Sequence, residues 1–143
     1  MLIRKIKPVH LKEVYEISTQ QFGSESWTME QFRDSIQDDN YICVALLYRA
    51  KVVSYVIAIQ TLDDINILSV ATKEEFKKQG LATQLINWYK ELSLAVEKTL
   101  SLEVKSQNTP ALNLYTKLGF CEVSKRKNYY KDGDTAIVMF LKK

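Results

Sequence analysis

The sequence predicts one α/β domain spanning residues 1–143, with a mixed sheet flanked by about four helices. Short β-branched and apolar runs alternate with amphipathic stretches in the order β-α-α-β-β-β-α-β-α-β-β. No Pro/Gly/Ser-rich linker, internal repeat or low-complexity segment interrupts that order. At 143 residues, the chain can bury a sizeable core without disulfides or metals to staple it.

Each element carries its own signal. Residues 2–6 read as a first strand. Pro8 then opens a helix whose apolar side is Leu11, Val14, Tyr15, Ser18 and Phe22, closed by Gly23. Trp27 precedes Thr28-Met29-Glu30-Gln31, a capping-box pattern for a second helix carrying Phe32 and Ile36; Asp38-Asp39-Asn40 stops it. Residues 41–48 and 52–60 form a hairpin over Arg49-Ala50-Lys51. Leu62-Asp63-Asp64 turns the chain into the β-branched run Ile65-Asn66-Ile67-Leu68-Ser69-Val70, a buried strand. A long helix follows over about residues 79–94, with Leu81, Leu85, Trp88, Tyr89 and Leu92 at helical spacing. In residues 100–104, Leu100, Leu102 and Val104 share one strand face, and Ser101 and Glu103 share the other. Asn108-Thr109-Pro110 starts a helix through Leu112, Tyr115 and Leu118 that Gly119 closes. Residues 121–130 and 135–141 pair over Lys131-Asp132-Gly133-Asp134.

Composition narrows the class. The apolar fraction of 46% and charged fraction of 26% are those of an ordinary globule. A net charge of +3 mildly favours anionic ligands and falls far short of a dedicated nucleic-acid binder. Cys43 and Cys121 sit in apolar strand-like sequence without metal-ligand spacing, and the chain has one His, so no metal is expected. Both read as reduced core thiols of a cytoplasmic protein. No apolar run reaches membrane-spanning length, and residues 1–5 lack a signal-peptide core.

Chemistry concentrates at the junction after residue 70. Lys77, Lys78 and Gly80 stand where a strand gives way to a long helix. Glycine lets the backbone come close to a ligand, and the helix start leaves N–H groups unpaired at the positive end of its dipole. With two lysines beside it, such a junction suits a phosphate; the alternative is a tight-turn glycine before a solvated helix start. Glu103, on a strand interior, either pairs at the rim with Lys105 or Lys125, or serves as a base for an amine substrate. Tyr115 is either core or a proton donor to a departing thiolate. Asn108 caps its helix and has an amide that could reach a cofactor, whereas Asp64 reads as a turn residue before it reads as a second acid.

Two motifs together make the pattern specific. Lys77-Lys78-Gln79-Gly80-Leu81-Ala82 resembles the Gln/Arg-x-x-Gly-x-Gly/Ala acetyl-CoA loop of the Gcn5-related N-acetyltransferases (GNAT), with Lys in the first position. The segment from Leu102 to Phe120 is similar to Leu-Glu-Val-Arg-x-x-Asn-x-x-Ala-x-x-Leu-Tyr-x-x-Leu-Gly-Phe of the RimI type, the ribosomal-protein-alanine N-acetyltransferases. Arg126-Lys127-Asn128-Tyr129-Tyr130 and the run from Asp132 to Met139 resemble the same group, and Trp27 fits it.

The resemblance implies a mostly antiparallel GNAT-like sheet and acetyl-CoA as cosubstrate. It makes Glu103 the proton acceptor and Tyr115 the proton donor, and it puts the backbone of Val70, Ala71 and Thr72 along the pantetheine arm. Lys77, Lys78, Gln79, Gly80, Leu81, Ala82 and Thr83 would hold the pyrophosphate, and Asn108 would touch the cofactor. Thr72 replaces the usual Val, and Glu74 replaces a common Pro and is expected to point outward. Tyr129, Tyr130 and Trp27 would line the acceptor cleft, although the two tyrosines could equally be a cross-strand pair. The implied reaction is direct acetyl transfer to a protein N-terminal α-amine, a ribosomal protein being the implied partner, with no nucleic acid and no membrane involved. The rivals are a small-molecule amine acceptor, which acidic Glu25, Asp63 and Asp64 would favour if it were cationic, and a silent acetyl-CoA sensor, against which Glu103 and Tyr115 argue.

Overall fold

The computed structural model describes residues 1–142. Its strands are β1 (Leu2–Lys5), β2 (Tyr41–Tyr48), β3 (Lys51–Gln60), β4 (Asp64–Thr72), β5 (Thr99–Lys105), β6 (Phe120–Arg126) and β7 (Ala136–Leu141). Its helices are α1 (Leu11–Phe22), α2 (Met29–Gln37), α3 (Leu81–Val96) and α4 (Thr109–Lys117). The strands form one sheet in the order β1-β2-β3-β4-β5-β7-β6. Every pairing is antiparallel except β4 with β5, whose parallel register needs the long crossover through α3.

The helices divide between the two faces of the sheet. On one face, α3 and α4 bury Leu81, Leu85, Ile86, Tyr89 and Tyr115 against Val56, Ile65, Leu102 and Val104. On the other, α1 and α2 bury Leu11, Val14, Ile17 and Phe32 against Tyr55, Ile57 and Ala71. The sequence signals account for the helix starts. Thr28 Oγ1 accepts from Gln31 N at 3.1 Å while Gln31 Oε1 accepts from Thr28 N at 2.8 Å, completing the capping box of α2. Asn108 Oδ1 accepts from Ala111 N at 3.2 Å and caps α4. Glu74 points outward as expected and pairs with Lys77 at 2.9 Å. Among the described residues no helix is long and apolar enough to cross a membrane.

Two expectations are corrected. The last hairpin is shorter than its sequence suggests, because β6 stops at Arg126 and residues 127–135 form an irregular connection. Asn128 adopts φ 53° there, and the Asp134 carbonyl takes the N–H groups of both Tyr129 and Tyr130, at 3.2 and 3.3 Å. Tyr129 and Tyr130 are therefore neighbours in a loop and not a cross-strand pair. Second, Cys43 is buried but Cys121 is exposed. The reason is that β6 is the outer strand of the sheet and only its first residue, Phe120, is buried.

Candidate active site

The site begins with an irregularity in β4. In the β3–β4 ladder, Ile57 faces Ser69 but the next residue, Ala58, faces Ile67, which leaves Leu68 as the extra residue of a bulge. The parallel ladder with β5 ends at the same point, its last pair being Ile67 with Leu102. Beyond it β4 stays on β3 as far as Thr72, and β5 stays on β7 as far as Lys105. The two parallel strands therefore part, and the inner edge of β4 is left without a partner strand.

Backbone alternation identifies the groups along that edge. Lys73 N donates to Val53 O at 2.8 Å, and Ala71 O accepts from Ser54 Oγ at 3.0 Å, so residues 71 and 73 face β3. Val70 and Thr72 alternate with them and turn their N–H and C=O groups into the opening. The side chain of Ala71 is buried toward α1, while Val70 packs on the α3 side.

The basic loop lies just beyond. After a one-turn 3-10 helix over Glu74–Phe76, Lys78 and Gly80 both adopt left-handed φ, 64° and 76°. Gly80 is the N-cap of α3, and no side chain caps that end. The first N–H groups of the helix, at Leu81, Ala82 and Thr83, thus have no intrahelical acceptor. A Cβ built on Gly80 meets nothing within 4 Å, so the approach to these N–H groups is open. Lys77 is occupied by Glu74, whereas Lys78 makes no ion pair among the described residues. Gln79 is exposed beside it.

Glu103 follows Leu102, the last residue of the parallel ladder, and so stands where β4 and β5 begin to part. Leu102 and Val104, the neighbours of Glu103, pack in the cluster that holds Tyr115, so Glu103 lies on the α1–α2 side. Its Oε1 is 3.9 Å from Arg126 Nη1, while Oε2 is buried with no hydrogen-bond partner among the described residues. Tyr115 is 8% exposed and packs edge-on against Phe120 at 5.7 Å. Burial pushes its phenol up to about 12, so it stays protonated well above neutrality. Glu103 and Tyr115 thus stand on opposite faces of the sheet.

Around Glu103 stand groups that the sequence placed only in part. Tyr130 packs edge-on against Tyr129 at 5.1 Å, and Arg126 lies 5.5 Å from the Tyr129 ring centroid. Burial first, and then the negative charge of Glu103, raise the Tyr130 phenol to about 12. Lys105, two residues beyond Glu103 on the same strand face, does not pair with it. It binds Glu25 and Asp132 instead. Trp27 is half-buried and 5.3 Å from Phe32, next to the loop that carries Glu25. Asp63 and Asp64 lie at the far end of β4, where Thr99 N donates to Asp63 O at 2.9 Å. The Leu68 bulge and the partners of Lys105 are the elements that sequence reasoning missed. The i, i+2 spacing of Glu103 and Lys105 was the only signal available for the second.

The comparisons with known proteins bear on the family and the fold. The model of the acetyltransferase (GNAT) family matches residues 11–120. The Escherichia coli (strain K12) ribosomal protein bS18-alanine N-acetyltransferase is 30% identical over 143 residues, covering 97% of this chain and 95% of its own. The crystal structure of the Escherichia coli ribosomal-protein-S18-alanine N-acetyltransferase superposes with a TM-score of 0.87 at 30% identity, covering 98% of this chain and 92% of that one. An N-alpha-acetyltransferase of Sulfurisphaera tokodaii is 40% identical over 78 residues, covering 52% of this chain and 46% of its own. With the family model matched over most of its length, this chain belongs to the acetyltransferase (GNAT) family.

Proposed function

We propose that this protein transfers the acetyl group of acetyl-CoA to the α-amine of a protein N-terminus, a ribosomal protein being the acceptor class. The observation that carries the reading is the buried, partnerless Glu103 Oε2 beside the unpaired edge of β4. A buried carboxylate oxygen without a donor is costly unless something else supplies one, and an ammonium does.

The residues divide the work as follows. Bound acetyl-CoA supplies an activated acyl thioester. The N–H groups of Val70 and Thr72 pair with the pantetheine arm, with Ala71 between them, and steady the carbonyl oxygen as charge builds on it. Lys78, Gln79, Gly80 and the open N–H groups of Leu81, Ala82 and Thr83 hold the pyrophosphate; Lys77 joins them by exchanging Glu74 for a phosphate oxygen. The Asn108 amide nitrogen, left free by the cap, donates to the cofactor. Glu103 takes the proton that keeps the amine unreactive, directly or through water. Tyr115 returns a proton to the departing thiolate. Tyr129, Tyr130 and Trp27 line the acceptor's approach.

A small cationic amine is the weaker reading. Of the carboxylates it would use, Glu25 is already paired with Lys105, and Asp63 and Asp64 lie at the far end of β4. The decisive assay measures CoA release from acetyl-CoA with peptides of varied N-terminal residue, set against polyamines and amino sugars. Release with peptides is the expected result, and release confined to the small amines would overturn the assignment of the acceptor. Mass spectrometry of protein N-termini from cells with and without the gene would then identify the protein acetylated.

A further inference from the structure

Lys105 joins two segments that are remote in sequence. Its Nζ lies 3.0 and 2.9 Å from the two carboxylate oxygens of Glu25, in the α1–α2 connection. The same Nζ lies 2.8 Å from Asp132 Oδ2, in the β6–β7 connection, and 5.0 Å from the centroid of the Tyr130 ring. Both partners hold the lysine charged, raising its ammonium above the usual range, and Lys105 in turn keeps the Asp132 carboxyl below its own. The second loop is anchored independently of Lys105: Ser106 Oγ and Gln107 N bond Asp134, and Asp132 Oδ1 accepts from Asp134 N at 3.0 Å.

We propose that Lys105 is a positioning residue for the acceptor. Its ammonium clamps the loops of Glu25 and Asp132 together over Glu103 and fixes Tyr130 beside them. The proposal rests on the acceptor reading above and adds to it the group that shapes the acceptor side. Three features support it. Lys105 shares a strand face with Glu103 and is two residues away. Its partners come from two separate loops. The ring it lies over is the one whose phenol feels the Glu103 charge. Glu25 and Asp132 are exposed, but a lysine shared by two carboxylates holds geometry better than an isolated surface pair.

The test pairs Lys105→Met, which keeps the aliphatic stem, with Lys105→Arg, which keeps a cation able to reach two carboxylates. In Lys105→Met, the KM for an acceptor peptide should rise about tenfold, because the Glu25 loop must then be ordered, and set against the Asp132 loop, on binding. The KM for acetyl-CoA should stay unchanged, and kcat should move less than about twofold. Lys105→Arg should restore most of the peptide KM. Glu25→Gln added to Lys105→Met should do no further harm, as expected for members of one cluster. Hydrogen exchange over residues 23–28 should speed up in Lys105→Met and not in Lys105→Arg, a readout that needs no acceptor, while residues 127–135, held by Asp134, should change less. Unchanged exchange, or KM values for peptide and acetyl-CoA that rise together, would overturn the role of Lys105 alone. A wild-type enzyme that releases CoA with no peptide would overturn the acceptor reading and this role with it.

Discussion

The two oxygens of Glu103 have different surroundings: Oε1 sits 3.9 Å from Arg126 Nη1, and Oε2 is buried without a hydrogen-bond partner. Folding alone gives no reason to keep such an oxygen, since a buried polar atom without a donor costs stability. Glu103→Gln should therefore separate stability from activity. Turnover at neutral pH should fall about a hundredfold, the usual loss when a positioned base is removed. Acetyl-CoA affinity, measured by titration calorimetry, should stay within about twofold. The melting temperature should stay within a few degrees, because the substitution gives up only a long, partly exposed contact to Arg126 and keeps the side chain's shape. Turnover that survives the substitution would remove Glu103 from the role.

Tyr115 gives a prediction in pH. Its phenol is raised to about 12 by burial, so it binds its proton more tightly in the folded protein than in the unfolded chain. Its contribution to stability is thus complete below the unfolded value near 10 and is lost only as pH climbs toward 12. As a proton donor it stays loaded across the working range, and the kcat profile should show no alkaline decline from this group between pH 7 and 10. Tyr115→Phe should lower kcat about ten- to a hundredfold while leaving that flat limb in place. A variant as fast as wild type would make the tyrosine a packing residue only.

Gly80 separates two costs that usually mix. A Cβ at this position meets no atom within 4 Å, so Gly80→Ala brings no clash, only the penalty of a left-handed φ of 76°. That penalty is about 1 kcal/mol, which corresponds to a drop in melting temperature of about 2–4 °C. Acetyl-CoA affinity should fall more than this, about tenfold or beyond, because the methyl group stands where a pyrophosphate would approach the helix start. Calorimetry showing an unchanged Kd would mean that the phosphates lie elsewhere.

The two thiols should differ in reactivity. Cys43 is buried, and burial raises its thiol to about 11, so the nucleophilic thiolate is scarce there. Cys121 is exposed on the outer strand. Mass spectrometry after brief treatment of the native protein with a maleimide should show one adduct, on Cys121, and a second on Cys43 only after denaturation. Labelling of Cys43 in the native protein would mean that the α2 side of the sheet opens.

The sequence by itself determined what short-range chemistry controls. Helical spacing, the caps at Thr28 and Asn108, the strand alternation around Glu103 and the glycine before α3 depend on neighbours within a few residues, and each stands in the structure as the sequence implies. The motif from Leu102 to Phe120 pointed to the family for the same reason, its residues being close along the chain. Tertiary structure alone decided the rest. The Leu68 bulge, where β4 and β5 part, shows only when β4 is laid against β3. The exposure of Cys121 follows from which strand ends the sheet. Lys105 finds Glu25 and Asp132 at separations of 80 and 27 residues, and no local propensity encodes partners that distant. Such contacts depend on the whole sheet closing first, which brings those loops to the same end of the molecule.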